Sequence, residues 1–429
     1  MKNLYNKNLI QVFEHQRVTT PNGKYPLPTS LHYGGEFSNS LLERFEEYHE
    51  GTNTPFFKLI RNGVQFTEYV GAIRVGNITV EVLPKADKNE DETGLKKWHD
   101  MLLSMLKRCK LLQAKQSGEA DLKIRSNSIL ELYFELFINE LDYLIRRGLI
   151  KRYNQVEGNR TALKGALVFS KNLTYNLVRQ ERFFVRYSQY NKNHLLHQIL
   201  NEALLVINQL NSSSLLGDKI GRVLLNFPEV KRKKITSKDF EIIKETRKTA
   251  PYQTALKIAE LILLNYRPDI QSGNRNLLAI MFDMNLLWEE YIYRIMVSHS
   301  NKFNVYRQNK ETFWNNRTVR PDIVLEDKIT KERIILDTKW KVIDENYPSI
   351  GDLHQMFVYH RIFKAEKTIL IYPGKEVSTR YGVYNDTLVD KPLKCKVGYV
   401  DVLDKSFDEI KITEHIENEL IPEKKRNAD

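Results

Sequence analysis

Two short apolar runs, VRPDIVL (319–325) and RIILDTK (333–339), limit the folds open to this chain more than any other feature. Both are rich in β-branched residues and read as strands. The residues between them, Asp327-Lys-Ile-Thr-Lys331, are polar and suit a hairpin turn. Each run carries a carboxylate, Asp322 in the first and Asp337 fifteen residues later in the second. Side chains alternate faces along a strand, so Asp337 and Lys339 point the same way. Asp322, on the neighbouring strand, can then lie close to both.

That set of groups suits metal-dependent phosphodiester hydrolysis. Two hard carboxylates hold Mg²⁺ through oxygen ligands. The metal polarises a scissile phosphate and lowers the pKa of a bound water. Lys339 can orient or deprotonate that water, or offset charge on the pentacoordinate phosphate. The string Pro321-Asp322…Asp337-x-Lys339 is the PD-(D/E)xK nuclease pattern. The plain alternative is a surface ion pair between Asp337 and Lys339, worth under ~1 kcal/mol.

Two helices supply further candidates. A helix is expected over 351–363, where Asp352, Gln355 and Tyr359 fall at i, i+3 and i+7 and share a face. Such a polar stripe, packed beside the sheet, would reach the metal and a DNA backbone; alone it would read as a solvated face. A second helix is expected over 277–297, with Glu289 and Glu290 among apolar residues. One of these acids could project toward the metal site, or both could be solvated. His354 and His360 do not share a helical face, and two cysteines, Cys109 and Cys395, exclude a disulfide scaffold or a zinc ribbon.

A length of 429 residues suggests two to three domains at ~150 residues each. The reading is an α/β and α multidomain protein. A β-rich N-terminal part spans 1–92, a helical region 93–274, and an α/β domain with a mixed central sheet 275–429. The acidic stretch Asp87–Gly94 reads as a linker and the tail from Glu423 as frayed. No apolar run approaches the ~18 residues of a membrane span, and the N-terminus has no apolar signal core. A cytoplasmic protein without membrane contact is expected.

Charge is unevenly placed. The net charge is +12, yet residues 101–274 alone hold 29 Lys/Arg against 16 Asp/Glu, while the flanking parts are close to neutral. A basic segment of this kind suggests a polyanion or an acidic partner, or simply a lysine-biased surface. Within it, Lys231-Arg232-Lys233-Lys234 reads as an exposed DNA- or partner-binding run. The stretch Arg179–Tyr190 mixes arginines with aromatics, which either grip nucleic acid or are core aromatics with surface arginines. No phosphate-binding loop G-x-x-x-x-G-K-[ST] and no G-x-G-x-x-G occurs.

Several blocks in order resemble the McrC family, the nuclease subunits of McrBC-type modification-dependent restriction systems. The resemblance runs from about residue 64 to about residue 373. It rests on Tyr69-Val-Gly-Ala-Ile73 with Val80-Glu-Val-Leu-Pro-Lys85, on Arg147-Gly-Leu149 with Tyr153 and Leu163-Lys-Gly-Ala166, and on Asn193. It continues through Met281-Phe-Asp-Met-Asn285 with Trp288-Glu289, Arg320-Pro-Asp322, Asp337-Thr-Lys-Trp-Lys341, the Asp352/Gln355/Tyr359 helix and Leu370-Ile-Tyr-Pro373. Trp288 and Thr338 depart modestly from the family's usual Phe and Ala. The first ~60 residues match nothing in it.

The resemblance implies a Mg²⁺-dependent endonuclease subunit that works with, and stimulates, a GTP-hydrolysing AAA+ ring resembling McrB, on modified double-stranded DNA. It implies Asp322 and Asp337 as metal ligands, Thr338 offering its backbone carbonyl, and Glu289 as the acid that assists. Lys339 would handle the attacking water, Gln355 and Tyr359 would position DNA or the metal shell, and Lys341 would contact phosphate. The alternatives are a non-catalytic, GTPase-activating plug of the ring and a stand-alone RecB-like nuclease. The four-cysteine iron–sulfur site such nucleases often carry is ruled out by the cysteine count.

Overall fold

The two carboxylate-bearing runs form adjacent antiparallel strands, Ile323–Asp327 and Arg333–Thr338, of a six-stranded sheet. The computed structural model describes residues 8–27, 36–52, 54–85, 92–112, 128–267, 276–307, 309–343, 347–374, 380–385, 393–403 and 408–421. The sheet runs 303–307, 323–327, 333–338, 367–373, 394–400, 380–383. Its two central pairings, 333–338 with 367–373 and 367–373 with 394–400, are parallel, and the rest are antiparallel. The expected mixed sheet is present. The turn at its first hairpin is built by Asp327, whose Oδ1 accepts from Ile329 N and Thr330 N at 2.8 Å each.

Helices flank this sheet. The helix Ile350–Phe363 is capped by Ser349, which accepts from Asp352 N, and buries Met356, Tyr359 and Phe363 in a cluster with Val324, Ile335 and Leu370. The helix Met284–His299 begins at Asp283, whose side chain accepts from Asn285 N and Leu286 N. Residues 277–283 are therefore not its first turns, as expected from sequence, but a separate buried strand. The apolar run there is compatible with either state; Asp283 marks where the helix begins, and pairing with Tyr266–Arg267 makes the run a strand.

By compactness the chain divides into two units, one of residues 1–73, 78–112 and 281–429, the other of 74–77 and 113–280. These boundaries differ from the three segments 1–92, 93–274 and 275–429. In the first unit, the strand Leu9–Phe13 pairs parallel with Ile78–Leu83. A three-stranded antiparallel sheet orders 17–19, 63–66 and 57–60, with Phe45 of the helix Asn39–Thr52 packed on Phe57 and Phe66. The proposed linker lies outside the described residues at 87–91, and 92–94 open the helix Glu92–Arg108. The tail from Glu423 also lies outside them.

The second unit is not all helical. Its core is three helices, Ile129–Arg147, Leu195–Leu210 and Gln253–Asn265, the last packed on both others. Ser128 caps the first, and Gly148, at φ +93°, ends it where a side chain would be strained. The correction is a three-stranded antiparallel sheet, 152–160 with 183–191 and 166–167. The arginine–aromatic stretch is therefore largely a strand that buries Val185 and Tyr187. Gly165 (φ +81°) permits the close approach, since a Cβ there would meet Arg186 O at 2.4 Å.

One histidine makes this unit acid-sensitive. His197 is fully buried, its Nδ1 2.7 Å from Lys192 O and its ring 4.1 Å from that of His194. Burial, then the neighbouring His194, pushes its pKa down to about 3. A histidine with a depressed folded pKa stabilises the fold above its unfolded value of 6.5 and loses that contribution as pH falls. The urea-unfolding free energy of this unit should therefore be lower at pH 5 than at pH 7 by about 2 kcal/mol, for ~1.5 pH units at ~1.4 kcal/mol each. His197→Phe should remove most of the difference, and an unchanged difference in that variant refutes the assignment.

Candidate active site

The hairpin register places Ile323 opposite Leu336 and Val324 opposite Ile335. Continued by one residue, it sets Asp322 across from Asp337 on the same face. The sequence pattern is therefore assembled by strand geometry alone. Asp322 Oδ2 accepts from Thr338 N at 2.8 Å and from Thr338 Oγ1 at 3.0 Å. Thr338 thus has a side-chain function, holding Asp322, in addition to the backbone role expected of it.

Asp337 is 0% exposed. Its Oδ2 lies 2.7 Å from Lys339 Nζ, and its buried Oδ1 has no hydrogen-bond partner among the described residues. Burial raises the Asp337 pKa, with Lys339 pulling the other way and Asp352 and Glu289 adding to the rise. Burial, then the Asp337 charge, raises Asp322 to about 6. Burial works against the Lys339 ammonium, but Asp337, Asp322 and Asp352 outweigh it, and its pKa is raised.

The helix face closes the site from the other side. Lys339 Nζ donates to Gln355 Oε1 at 3.0 Å, Gln355 Nε2 donates to Tyr359 OH at 2.8 Å, and Tyr359 OH donates to Arg320 O at 3.0 Å. That chain ties the helix to the backbone beside Asp322. Lys341 Nζ pairs with Asp352 Oδ2 at 2.5 Å, and Tyr372 OH reaches the same oxygen at 3.5 Å. Asp322, Asp337, Thr338, Lys339, Gln355 and Tyr359 are brought together, with Lys341 held at their margin. Glu289 is buried and faces Arg307 at 3.4 Å, and its charge reaches Asp337.

The basic run 231–234 belongs to the second unit and is partly neutralised. Arg232 Nε pairs with Glu202 at 2.6 Å and Lys233 Nζ with Asp239 at 2.5 Å. Only Lys231 and Lys234 of the four are without a recorded carboxylate partner among the described residues.

Two residues beside the site lay outside the set of side chains expected there. Trp340, between Lys339 and Lys341, is buried against Trp98 and Trp288, with ring centroids 6.2 and 5.4 Å away. Its Nε1 donates at 2.5 Å to Oε1 of Glu14, which also accepts from Lys85 N at 2.8 Å. Burial raises Glu14 to about 8. An apolar aromatic inside DTKWK was the available signal for Trp340; nothing in the sequence links it to Glu14.

Among the described residues no group of three His, Cys, Asp or Glu side chains is placed to hold a metal ion. Two carboxylates fit a cation that keeps several waters and shares a substrate phosphate, as Mg²⁺ does. The unpartnered, buried Asp337 Oδ1 is the kind of donor such an ion would engage.

Sheet, hairpin and site define a multidomain α/β protein with an Asp–Asp–Lys set, Asp337 buried within it, on two adjacent inner strands of a mixed six-stranded sheet. The chain belongs to the family of McrBC 5-methylcytosine restriction system components, whose model matches residues 64–373. No curated protein matches. Among solved structures, it is similar to a chain of the refined half-complex from the tetradecameric assembly of Thermococcus gammatolerans McrB AAA+ hexamers with bound McrC. That match has a TM-score of 0.70 and 18% identity over 96% of this chain and 100% of the other, which shows a shared fold. A chain of the cryo-EM Thermococcus gammatolerans McrBC complex matches with TM-score 0.48 and 19% identity over 70% of this chain and 89% of that one. No helix among the described residues is long and apolar enough to cross a membrane.

Proposed function

We propose that this chain is the DNA-cleaving subunit of a modification-dependent restriction complex, a PD-(D/E)xK-type endonuclease acting beside an AAA+ GTPase ring resembling McrB. The observation that carries this is the buried Asp337 across from Asp322, with Lys339 bridging Asp337 to Gln355. Asp322, Asp337 and the Thr338 carbonyl would hold Mg²⁺, with Glu289 assisting from the neighbouring helix. Bound there, the ion would supply Lewis-acid activation of phosphate and water. Lys339 is placed to hold the attacking water or to offset charge on the phosphate. Gln355 fixes Lys339, and Tyr359 fixes Gln355 to the Arg320 carbonyl. Lys341 would meet the DNA backbone on release from Asp352. The absence of a phosphate-binding loop fits a division of labour in which the ring hydrolyses GTP and this chain cuts.

The test is cleavage of methylated and unmethylated plasmid with Mg²⁺, with and without GTP and the ring protein. Cutting that needs all of them supports the proposal. Cutting by the chain alone, indifferent to GTP, replaces it with a stand-alone nuclease, and stimulation of GTP hydrolysis without cutting replaces it with a regulatory plug. Tyr359→Phe should slow cleavage about tenfold with little change in melting temperature, because it removes one hydroxyl that positions Gln355. Cleavage at the wild-type rate would remove Tyr359 from the site.

A further inference from the structure

The second unit carries a cavity of about 510 Å³, within the ~300–1,000 Å³ of small-ligand sites. Its lining includes Lys151, Arg152, Tyr153, Tyr190, Thr246 and Lys248. Three of these are cations, and among the described residues none has a carboxylate partner. This sets them apart from Arg186 and Lys171, which share Glu157, and from Arg232 and Lys233, which are paired.

The aromatic wall is built by strand pairing. Tyr153 and Tyr190 are opposite each other in the antiparallel ribbon, with ring centroids 4.7 Å apart. Both are exposed, Tyr153 by 74%, and Lys151 Nζ lies 6.0 Å from the Tyr190 ring centre. The rest of the wall is pinned. Ile150 N donates to Tyr252 OH at 3.0 Å, and Thr246 N donates to Thr249 Oγ1 at 2.8 Å. A fixed pocket with open tyrosine faces and three unneutralised cations matches one ligand chemistry, an aromatic base joined to phosphate. Stacking needs a base outside a duplex stack, so the ligand is an unpaired nucleotide.

We propose that this cavity binds an unpaired nucleotide of a DNA strand, its base on Tyr153 and Tyr190 and its phosphates on Lys151, Arg152 and Lys248. The choice of DNA rests on the proposed function. It places strand binding here rather than on the partly neutralised run 231–234.

The test is anisotropy of a fluorescent single-stranded oligonucleotide with the full chain, without Mg²⁺, over a salt series. Tyr153→Ala should weaken binding about tenfold or more. Lys248→Ala should weaken it several-fold and lower the slope of log affinity against log salt by ~0.7. Both side chains are exposed, so the melting temperatures of the variants should match wild type and report that they fold. Affinities within twofold of wild type in both variants overturn the proposal. So does unchanged oligonucleotide affinity with lost capture of the ring protein, which makes the cavity a protein-docking site. Asp337→Asn separates the two readings: it should abolish cutting and leave oligonucleotide affinity intact, whereas cutting at the wild-type rate defeats the nuclease reading without touching the anisotropy result.

Discussion

Asp337→Asn is expected to reduce Mg²⁺-dependent cleavage by about a thousandfold or more and, at the same time, to raise the melting temperature of the metal-free protein. The first effect follows from removing a charged metal ligand. The second follows from burial. Asp337 is 0% exposed with Oδ1 unpartnered, and the carboxyl pKa values are raised, Asp322 to about 6. An acid whose folded pKa lies above its unfolded value contributes stability that is complete below the unfolded pKa, 3.8, and is lost as pH rises through the folded one. At about pH 7.5 the metal-free pair therefore weakens the fold. Asparagine removes one of two facing charges and keeps an acceptor for Lys339. The variant should melt several degrees above wild type near pH 7.5, with the gap closing towards pH 4. Mg²⁺ should raise the wild-type melting temperature and leave that of the variant in place. A variant that melts lower than wild type without metal, or that retains the Mg²⁺ shift, would falsify this account of the site.

Glu14→Gln should have the next largest effect, on stability alkaline of neutrality. Glu14 is held by Trp340 and Lys85 through Oε1, while Oε2 is buried with no hydrogen-bond partner among the described residues. Burial dominates and raises its pKa from 4.5 to about 8. The neutral form is the native one, so the group's contribution is complete below about pH 4.5 and gone above about pH 8. A shift of ~3.5 units corresponds to about 4–5 kcal/mol at ~1.4 kcal/mol per unit. Glutamine keeps the acceptor and cannot ionise. Thermal scans should give the variant a clear advantage at pH 9 that shrinks towards pH 5. Equal pH dependence in both proteins would show that Glu14 does not titrate in this range.

The hairpin was fully readable from its residues. VRPDIVL, a polar turn and RIILDTK form two strands, and alternation with register then leaves Asp322, Asp337 and Lys339 little freedom but to converge. The helix stripe was readable too, because i, i+3, i+7 is a local rule; the structure turns it into Lys339–Gln355–Tyr359–Arg320. Less readable were elements whose identity depends on neighbours. The run 277–283 is apolar in a way either a helix or a buried strand accepts, and 152–160 has the polar composition of a loop. It becomes a strand because 183–191 pairs with it along nine residues.

Local periodicity and spacing therefore determined the sheet hairpin, its carboxylates, the polar helix face and the concentration of positive charge. These depend on contacts a few residues apart in sequence. Three other features required the tertiary structure. It brought Glu14 against Trp340, 326 residues apart, and so placed a raised-pKa acid beside the site. It decided which cations are neutralised, pairing Arg232 and Lys233 with carboxylates that no spacing rule connects to them. It set Tyr153 across from Tyr190 in the cavity that Lys248 also lines. Long-range partners are chosen by packing and desolvation over the whole chain, and those energies are not encoded in any short stretch of sequence.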